Sequence, residues 1–151
     1  MAKPIGIFDS GLGGLTVARA IRAALPAEDL VYLGDTARVP YGTRSPETVI
    51  KYAIGCAERL LGYDIKMLVV ACNTVSGVAL EELEARLDIP VVGVIQPGAR
   101  AGANATRSGR IGVLATAGTV ASGAYERAIR SENEAIRVFA QAAPLFVPLA
   151  E

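Results

Sequence analysis

The sequence predicts an α/β protein in which a parallel sheet is covered by helices on both faces. Three observations lead to this fold class. Short apolar runs alternate with segments of helical periodicity along the chain, which is the pattern of repeated βα units. The apolar runs contain few polar residues, as expected for strands buried on both faces. Polar residues stand directly after several of these runs, where α/β proteins place their ligands.

The elements follow one another in a regular order. Six segments are predicted as strands: residues 4–8, 30–33, 67–71, 90–94, 110–115 and 135–140. The predicted helices cover residues 15–25, 46–61, 75–87, more weakly 98–106, and a segment after residue 119 that ends near residue 130. Pro26 stops the first helix, while Ser45 and Pro46 suit the N-cap and first turn of the second. We expect the tail, residues 144–151, to begin a further strand.

The two ends of the chain resemble each other loosely. Residues 5–21 and residues 111–129 both run from a strand through a small polar turn into a helix. Any two βα units look alike in this way. The alternative is a duplicated enzyme of two domains, with a boundary near residues 96–102, where Pro and Gly cluster.

Composition excludes several classes of function. Fifteen basic and fifteen acidic residues balance, which argues against nucleic acid or an anionic membrane as partner. No apolar run approaches the roughly 20 residues of a membrane span, and no signal peptide is recognisable, so we expect a cytoplasmic protein. The chain has no histidine. That excludes a Ser-His-Asp triad and a His-based zinc site, and we expect no metal.

Polar residues at four predicted strand ends are the candidate site. The carboxyl ends of parallel strands open on one edge of the sheet, so these residues can converge on one crevice. Each of them singly could be a helix cap. Together, hydroxyls, amides and a carboxylate suit a small zwitterionic ligand, whose ammonium a carboxylate would bind. The candidate residues are Asp9, Ser10, Asp35, Tyr41, Gly42, Cys72, Asn73, Thr74, Thr116 and Thr119.

The two cysteines are interpreted differently. Cys72 follows an apolar strand and precedes a helix, which would stabilise a thiolate and let it face a cleft. The alternative is that Cys72 is a small buried hydrophobe, as free cysteines commonly are. Cys56 shares one helical stripe with Val49, Ala53 and Leu60, so we expect it in the core.

No cofactor is expected. The turn of Gly11, Gly13 and Gly14 follows a strand, but Thr16 breaks the dinucleotide fingerprint, and no Walker sequence is present. We expect these glycines to let the backbone pass close to a ligand or to the opposite wall. No lysine stands among the polar strand ends to anchor a Schiff-base cofactor.

Five stretches resemble the cofactor-independent glutamate racemases of the aspartate/glutamate racemase family. They are FDSGLGGLTV at 8–17, YLGDTARVPYG at 32–42, VVACNT at 69–74, GVIQPG at 93–98 and IGVLATAGTVASGAY at 111–125. The resemblance implies a parallel-sheet, three-layer α/β domain of the racemase type at residues 1–96. It also implies the incomplete start of a second similar domain at residues 97–151.

The resemblance implies a function and a role for each matching position. Cys72 would be one of two catalytic thiols, assisted by Asp9, that interconvert L- and D-glutamate and supply D-glutamate for peptidoglycan. Two thiols suit racemisation because inversion needs an acid on one face and a base on the other. A homo-oligomer is expected for the full-length protein. The residues implied in holding glutamate are Asp9, Ser10, Tyr41, Gly42, Asn73, Thr74, Thr116 and Thr119.

One departure from the family pattern is important. The family's second thiol lies in a Gly-Cys-Thr-His motif that residues 1–151 do not contain. We therefore expect an N-terminal portion of a racemase, inactive alone, with apolar strands near 111–114 and 145–147 incompletely covered and prone to self-association. The alternatives are an aspartate racemase, a single-cysteine decarboxylase or isomerase of the same superfamily, and a ligand-binding remnant without catalysis.

Overall fold

The computed structural model describes residues 2–150; Met1 and Glu151 lie outside the described part. The strands are β1 (Ile5–Asp9), β2 (Leu30–Gly34), β3 (Met67–Val70), β4 (Val91–Gly93), β5 (Arg110–Ala115) and β6 (Arg137–Ala142). The helices are α1 (Leu15–Ala24), α2 (Pro46–Leu61), α3 (Asn73–Val78), α4 (Leu80–Arg86), α5 (Ile95–Ala105), α6 (Ala117–Ser122), α7 (Ala124–Glu132) and α8 (Phe146–Ala150). Among residues 2–150, no helix is both long enough and apolar enough to cross a membrane.

The strands form two parallel sheets. The first has the order β2-β1-β3-β4 and the second pairs β5 with β6. In the first sheet Phe8 lies opposite Val70, and Asp9 lies opposite Gly34. All carboxyl ends of this sheet therefore open on one edge, as the sequence predicts.

Helices cover both faces of the first sheet. Phe8 and Val70 point to one face and pack in a cluster with the buried sides of α2, α3 and α4. Ile7 and Val69, one residue earlier on the same strands, point to the other face and pack against α1. The alternation of side chains along each strand explains this division. The predicted three-layer arrangement is confirmed.

Within residues 2–150, the second sheet is covered by helices on one face only. Ile111, Val113 and Val138 pack against the buried sides of α5 and α7. On the opposite face, Leu114 is 62% and Phe139 52% exposed. The apolar surface that we expected to be uncovered is therefore present on this sheet.

Two predicted helices are each divided into two. The periodic segment 75–87 is broken at Ala79, whose φ of −122° and ψ of 0° leave the helical region. Ala79 itself carries no signal for this break, since alanine favours a helix. The segment after residue 119 is broken at Gly123, which has a φ of +64°. Glycine adopts this left-handed conformation without steric cost.

The tail was predicted wrongly as a strand. It forms the short helix α8, whose first backbone bond runs from Phe146 N–H to Ala143 C=O at 3.2 Å. Pro148 explains why the tail is helical and not extended, because proline cannot donate a hydrogen bond to a neighbouring strand but is tolerated in the first turn of a helix. The end of the predicted segment, Glu151, lies outside the described residues.

Other boundaries shift by a few residues. Helix α5 begins at Ile95, three residues before the predicted start, and β6 begins and ends two residues after the predicted strand. The predicted domain boundary between residues 96 and 97 falls inside α5 and stays a prediction. At α2 the local signals are confirmed: the Ser45 side chain accepts from Thr48 N–H, and Pro46 opens the helix.

We expect the uncovered face of the second sheet to cause self-association of the 151-residue chain. Replacing Leu114 and Phe139 together by serine removes much of this exposed apolar surface and should raise the monomer fraction. Light scattering over a concentration series measures the change. The matched control is Tyr63→Ser, which removes an exposed ring on the loop after α2 and should leave self-association unchanged. A clean monomer before any substitution would contradict this expectation.

Candidate functional site

A cleft of about 650 Å³ opens at the carboxyl ends of β1, β3 and β5. All nine residues that the resemblance implicates line it: Asp9, Ser10, Tyr41, Gly42, Cys72, Asn73, Thr74, Thr116 and Thr119. Asp35, the other predicted strand-end residue, is buried beside Tyr41 and is not among the lining residues. The topology thus brings residues more than one hundred positions apart into one crevice.

Sheet register sets the position of Cys72. Phe8 and Val70 are paired across β1 and β3, so Ser10 and Cys72, each two residues further on, meet just beyond the sheet edge. The thiol donates to Ser10 Oγ at an S–O distance of 3.3 Å. Cys72 is only 6% exposed and packs in the core cluster with Phe8 and Val70, yet it also lines the cleft.

The surroundings of Cys72 act on its pKa in opposite directions. Burial raises the pKa of the thiol, and the nearby Asp9 carboxylate raises it further. Once the thiol has lost its proton, the Ser10 hydroxyl can turn to donate to the thiolate, and this bond lowers the pKa, as do those from the backbone N–H groups of Val75 and Thr74. Burial dominates, so the net shift is upward. The start of α3 stabilises the thiolate as the sequence suggests, but it does not overcome the loss of solvent.

The glycine turn after β1 holds the Asp9 carboxylate. Asp9 Oδ2 accepts from Gly11 N–H at 3.1 Å and from Gly14 N–H at 2.9 Å, and the Tyr32 hydroxyl lies 3.5 Å away. A Cβ at residue 14 would lie 2.5 Å from Asp9 Cβ, so only glycine fits there. The two N–H groups face a carboxylate of the protein, which is a different use from cradling a phosphate.

Tyr41 lines the cleft but directs its hydroxyl elsewhere. The hydroxyl donates a short hydrogen bond to Asp35, which also pairs with Arg38 Nε at 2.6 Å. The ring packs against Phe8 and Tyr52. Burial and the bond to Asp35 raise the pKa of Tyr41, so the hydroxyl stays protonated. In this arrangement the side chain anchors the loop, and Gly42 forms the adjoining wall.

Cys56 lies in the core, as predicted. It is 3% exposed, and its thiol accepts from Arg38 Nη2 at 3.5 Å. Burial and the Asp35 carboxylate raise its pKa. Within residues 2–150, the only cysteine that lines the cleft is therefore Cys72.

Three threonine hydroxyls join the two halves of the cleft. Thr74 Oγ1 lies 2.9 Å from Thr116 Oγ1 and 3.3 Å from Thr119 Oγ1, and the last two are 3.0 Å apart. Next to them Gly118 N–H donates to Gly42 C=O at 2.9 Å. These contacts connect the first turn of α3 with the start of α6. Thr119 is 2% exposed, which places its hydroxyl in this network more than in the open cleft.

Tyr125 was missed by the sequence interpretation. Its hydroxyl, on α7, donates to Asn73 Oδ1 at 2.7 Å, and both residues line the cleft. Tyr125 ends the stretch 111–125 that resembles the racemases, but its helical position carries no signal of a polar role. In the described part of the chain, no three acidic or cysteine side chains lie together in a way that could bind a metal ion.

Comparisons with known proteins identify the family. Residues 5–146 match the Asp/Glu/Hydantoin racemase family. The chain belongs to this family. Among curated racemases, the glutamate racemase of Geobacter metallireducens is 62% identical over 149 residues, which cover 99% of this chain and 55% of that protein. The glutamate racemase of Chlorobaculum parvum is 57% identical, with coverage of 99% and 55%. The chain thus spans about half the length of these relatives.

Solved racemase structures share the fold. Glutamate racemase isoform RacE1 from Bacillus anthracis superimposes with a TM-score of 0.94 at 44% identity, covering 97% of this chain and 55% of that one. Glutamate racemase from Francisella tularensis, solved in complex with D-glutamate, gives a TM-score of 0.89 at 40% identity, with coverage of 98% and 56%. The α/β architecture is therefore that of the racemase family.

The upward pKa shift of Cys72 predicts how the rate of alkylation of its thiol depends on pH. Alkylation by iodoacetamide should stay slow below about pH 8.5, the ordinary pKa of a cysteine thiol, and rise above it as the thiolate forms. Ser10→Ala removes a hydrogen bond that lowers the pKa, so the rise should move to higher pH. Mass spectrometry of the Cys72 peptide measures the rate. Ser131→Ala, on α7, serves as control. Fast alkylation at pH 7, or an unchanged profile in Ser10→Ala, would contradict the assignment.

The contact between Gly42 and Thr116 predicts that adding one methyl group at residue 42 lowers the free energy of unfolding. A Cβ at residue 42 would lie 2.4 Å from Thr116 Cβ, so Gly42→Ala should destabilise the chain by about 1–3 kcal/mol. Gly55→Ala is the matched control, since a Cβ there meets nothing within 4 Å and alanine favours the helix by up to about 1 kcal/mol. Urea denaturation measures both. Equal stability of the two variants would show that the wall at Gly42 is looser than this contact implies.

Proposed function

We propose that the chain is the N-terminal portion of a glutamate racemase, in which Cys72 exchanges the α-proton of glutamate without a cofactor. The observation that carries the proposal is the place of Cys72. It is the cysteine that lines the cleft, it bonds Ser10, and the Asp9 carboxylate lies near enough to raise its pKa. Relatives called glutamate racemases at 57–62% identity support glutamate as the substrate.

The electrostatics of Cys72 suit the abstraction of a weakly acidic proton. The α-proton of an amino acid requires a strong base, and a thiolate with a raised pKa is a stronger base than an ordinary one. Burial and Asp9 raise that pKa, while Ser10 and the backbone of Val75 hold the anion once it forms. Asp9 also suits a second task, since its carboxylate would attract the substrate ammonium. We propose that it assists Cys72 in this way.

The groups around the thiol suit the other end of an amino acid. Asn73 is exposed at the cleft, and Ser10 is partly exposed. Their N–H and O–H donors would bind the carboxylate oxygens of the substrate. We propose that Gly42, Thr74, Thr116 and Thr119 form the walls of the same pocket, and that Tyr41 contributes by fixing its loop.

Inversion also needs an acid on the opposite face of the substrate. Cys56 does not supply it, because its thiol is buried against Arg38. We propose that the second thiol lies in the remaining part of the full-length enzyme, by which we mean a protein that carries these residues at the length of the relatives. In that protein residues 1–96 would form the first domain and residues 97–151 the start of the second. We further propose a cytoplasmic homo-oligomer that supplies D-glutamate for peptidoglycan.

A second candidate rests on the single thiol at the cleft. One base on one face can exchange an α-proton or serve a decarboxylase or isomerase of small dicarboxylates, but it cannot invert a stereocentre alone. Comparing turnover of glutamate, aspartate and substituted malonates by the full-length enzyme separates these functions. Turnover of glutamate by inversion supports the racemase, and turnover of malonates alone would replace it.

The proposal predicts different behaviour for the chain and for the full-length enzyme. In heavy water with L-glutamate, the 151-residue chain should show no inversion by circular dichroism, since one acid–base group is missing. The full-length enzyme should invert glutamate and exchange its α-hydrogen, which NMR detects. Cys72→Ser should lower kcat by at least about 10²-fold, whereas Cys56→Ala should keep activity. Inversion by the 151-residue chain at the rate of the full-length enzyme would refute the two-thiol division.

A further inference from the structure

Tyr125 reaches from α7 to Asn73, the first residue of α3. Its hydroxyl donates to Asn73 Oδ1 at 2.7 Å. Its ring passes over Gly98 of α5, where an added Cβ would lie 3.3 Å from the hydroxyl oxygen and 3.5 Å from Cε1. An added Cβ at Gly98 would therefore crowd the hydroxyl and touch the ring. Tyr125, Gly98 and Asn73 all line the cleft.

The bond to Tyr125 determines which end of the Asn73 amide is left for a ligand. A side-chain amide has one oxygen, which accepts, and one NH₂ group, which donates. Tyr125 occupies the oxygen, so the NH₂ group remains available. A carboxylate only accepts hydrogen bonds, and the NH₂ group is the end that suits it. Burial raises the pKa of Tyr125, which keeps the hydroxyl protonated and able to donate.

We propose that Tyr125 is a positioning residue that holds Asn73 with its NH₂ group directed to a substrate carboxylate. This inference rests on the proposed function, because it takes an amino acid as the ligand. Tyr125 acts through Asn73 and makes no contact of its own with the substrate. An exposed asparagine that is free to rotate must be ordered when a ligand binds, and an amide already held by Tyr125 avoids much of that entropic cost.

A double-mutant cycle in the full-length enzyme tests the inference. Tyr125→Phe keeps the ring over Gly98 and removes only the hydroxyl. We expect it to raise the KM for glutamate about threefold to tenfold, the effect of one neutral hydrogen bond. The kcat should change by less than about twofold, because the interaction is present in both bound substrate and transition state. Adding Tyr125→Phe to Asn73→Ala should raise KM no further than Asn73→Ala alone.

The outcomes are distinguishable. Effects of Tyr125→Phe and Asn73→Ala that multiply in the double variant would overturn the inference, as would an unchanged KM in Tyr125→Phe. Tyr63→Phe, at an exposed tyrosine away from the cleft, is the control and should keep the original KM. If the unsubstituted enzyme neither binds nor turns over glutamate, the proposed function and this inference fail together. An active enzyme with multiplying effects removes only the role of Tyr125.

Discussion

The parallel pairing of β1 with β3 is the constraint on which the site depends. Because both strands run in the same direction, their last residues reach the same edge, and the register that pairs Phe8 with Val70 brings Ser10 opposite Cys72. A shift of one residue in this register would exchange inward and outward side chains along the strand. The register is held by burial on both faces, since Phe8 and Ile7 are each 0% exposed on opposite sides. The position of the thiol is therefore a consequence of core packing.

Close backbone contacts complete the cleft. Gly14 lies against Asp9, and Gly42 lies against Thr116, at distances that leave no room for a Cβ. Because glycine has no Cβ, the side chains of Asp9 and Thr116 can each occupy the space that a Cβ would otherwise fill. The three threonine hydroxyls and the bond from Gly118 to Gly42 then join the first sheet to the elements that follow β5. Polar bonds, and not apolar packing, form this part of the connection.

The sequence allows much of this fold and site to be predicted, and the failures have physical causes. Apolar runs located all six strands, and the order of strands and helices indicated the parallel sheet. The break at Ala79 was not predicted, because alanine itself favours a helix and Gly77, two residues earlier, only weakens one. For the tail, Pro148 argued against a strand, but the apolar pattern around it favoured one and led to the wrong prediction. At the site, residue type and strand-end position selected the lining residues, but they could not show that the Tyr41 hydroxyl turns to Asp35 or that Tyr125 reaches Asn73. Such contacts arise from tertiary packing.

The surroundings of Cys72 act on the base strength of its thiolate in two opposing ways. Every group that stabilises the thiolate, such as Ser10 or the backbone of Val75, also weakens it as a base, whereas burial and Asp9 strengthen it by destabilising the anion. The structure combines both influences, with burial the larger. A thiol in this environment is protonated near neutral pH, and in the proposed racemase it would have to lose its proton before it could accept one from glutamate. In that proposed enzyme the thiol on the opposite face would meet the reverse requirement, so the two thiols would have opposite protonation states. The direction of the proposed reaction would then be determined by which thiol carries the proton when the substrate binds.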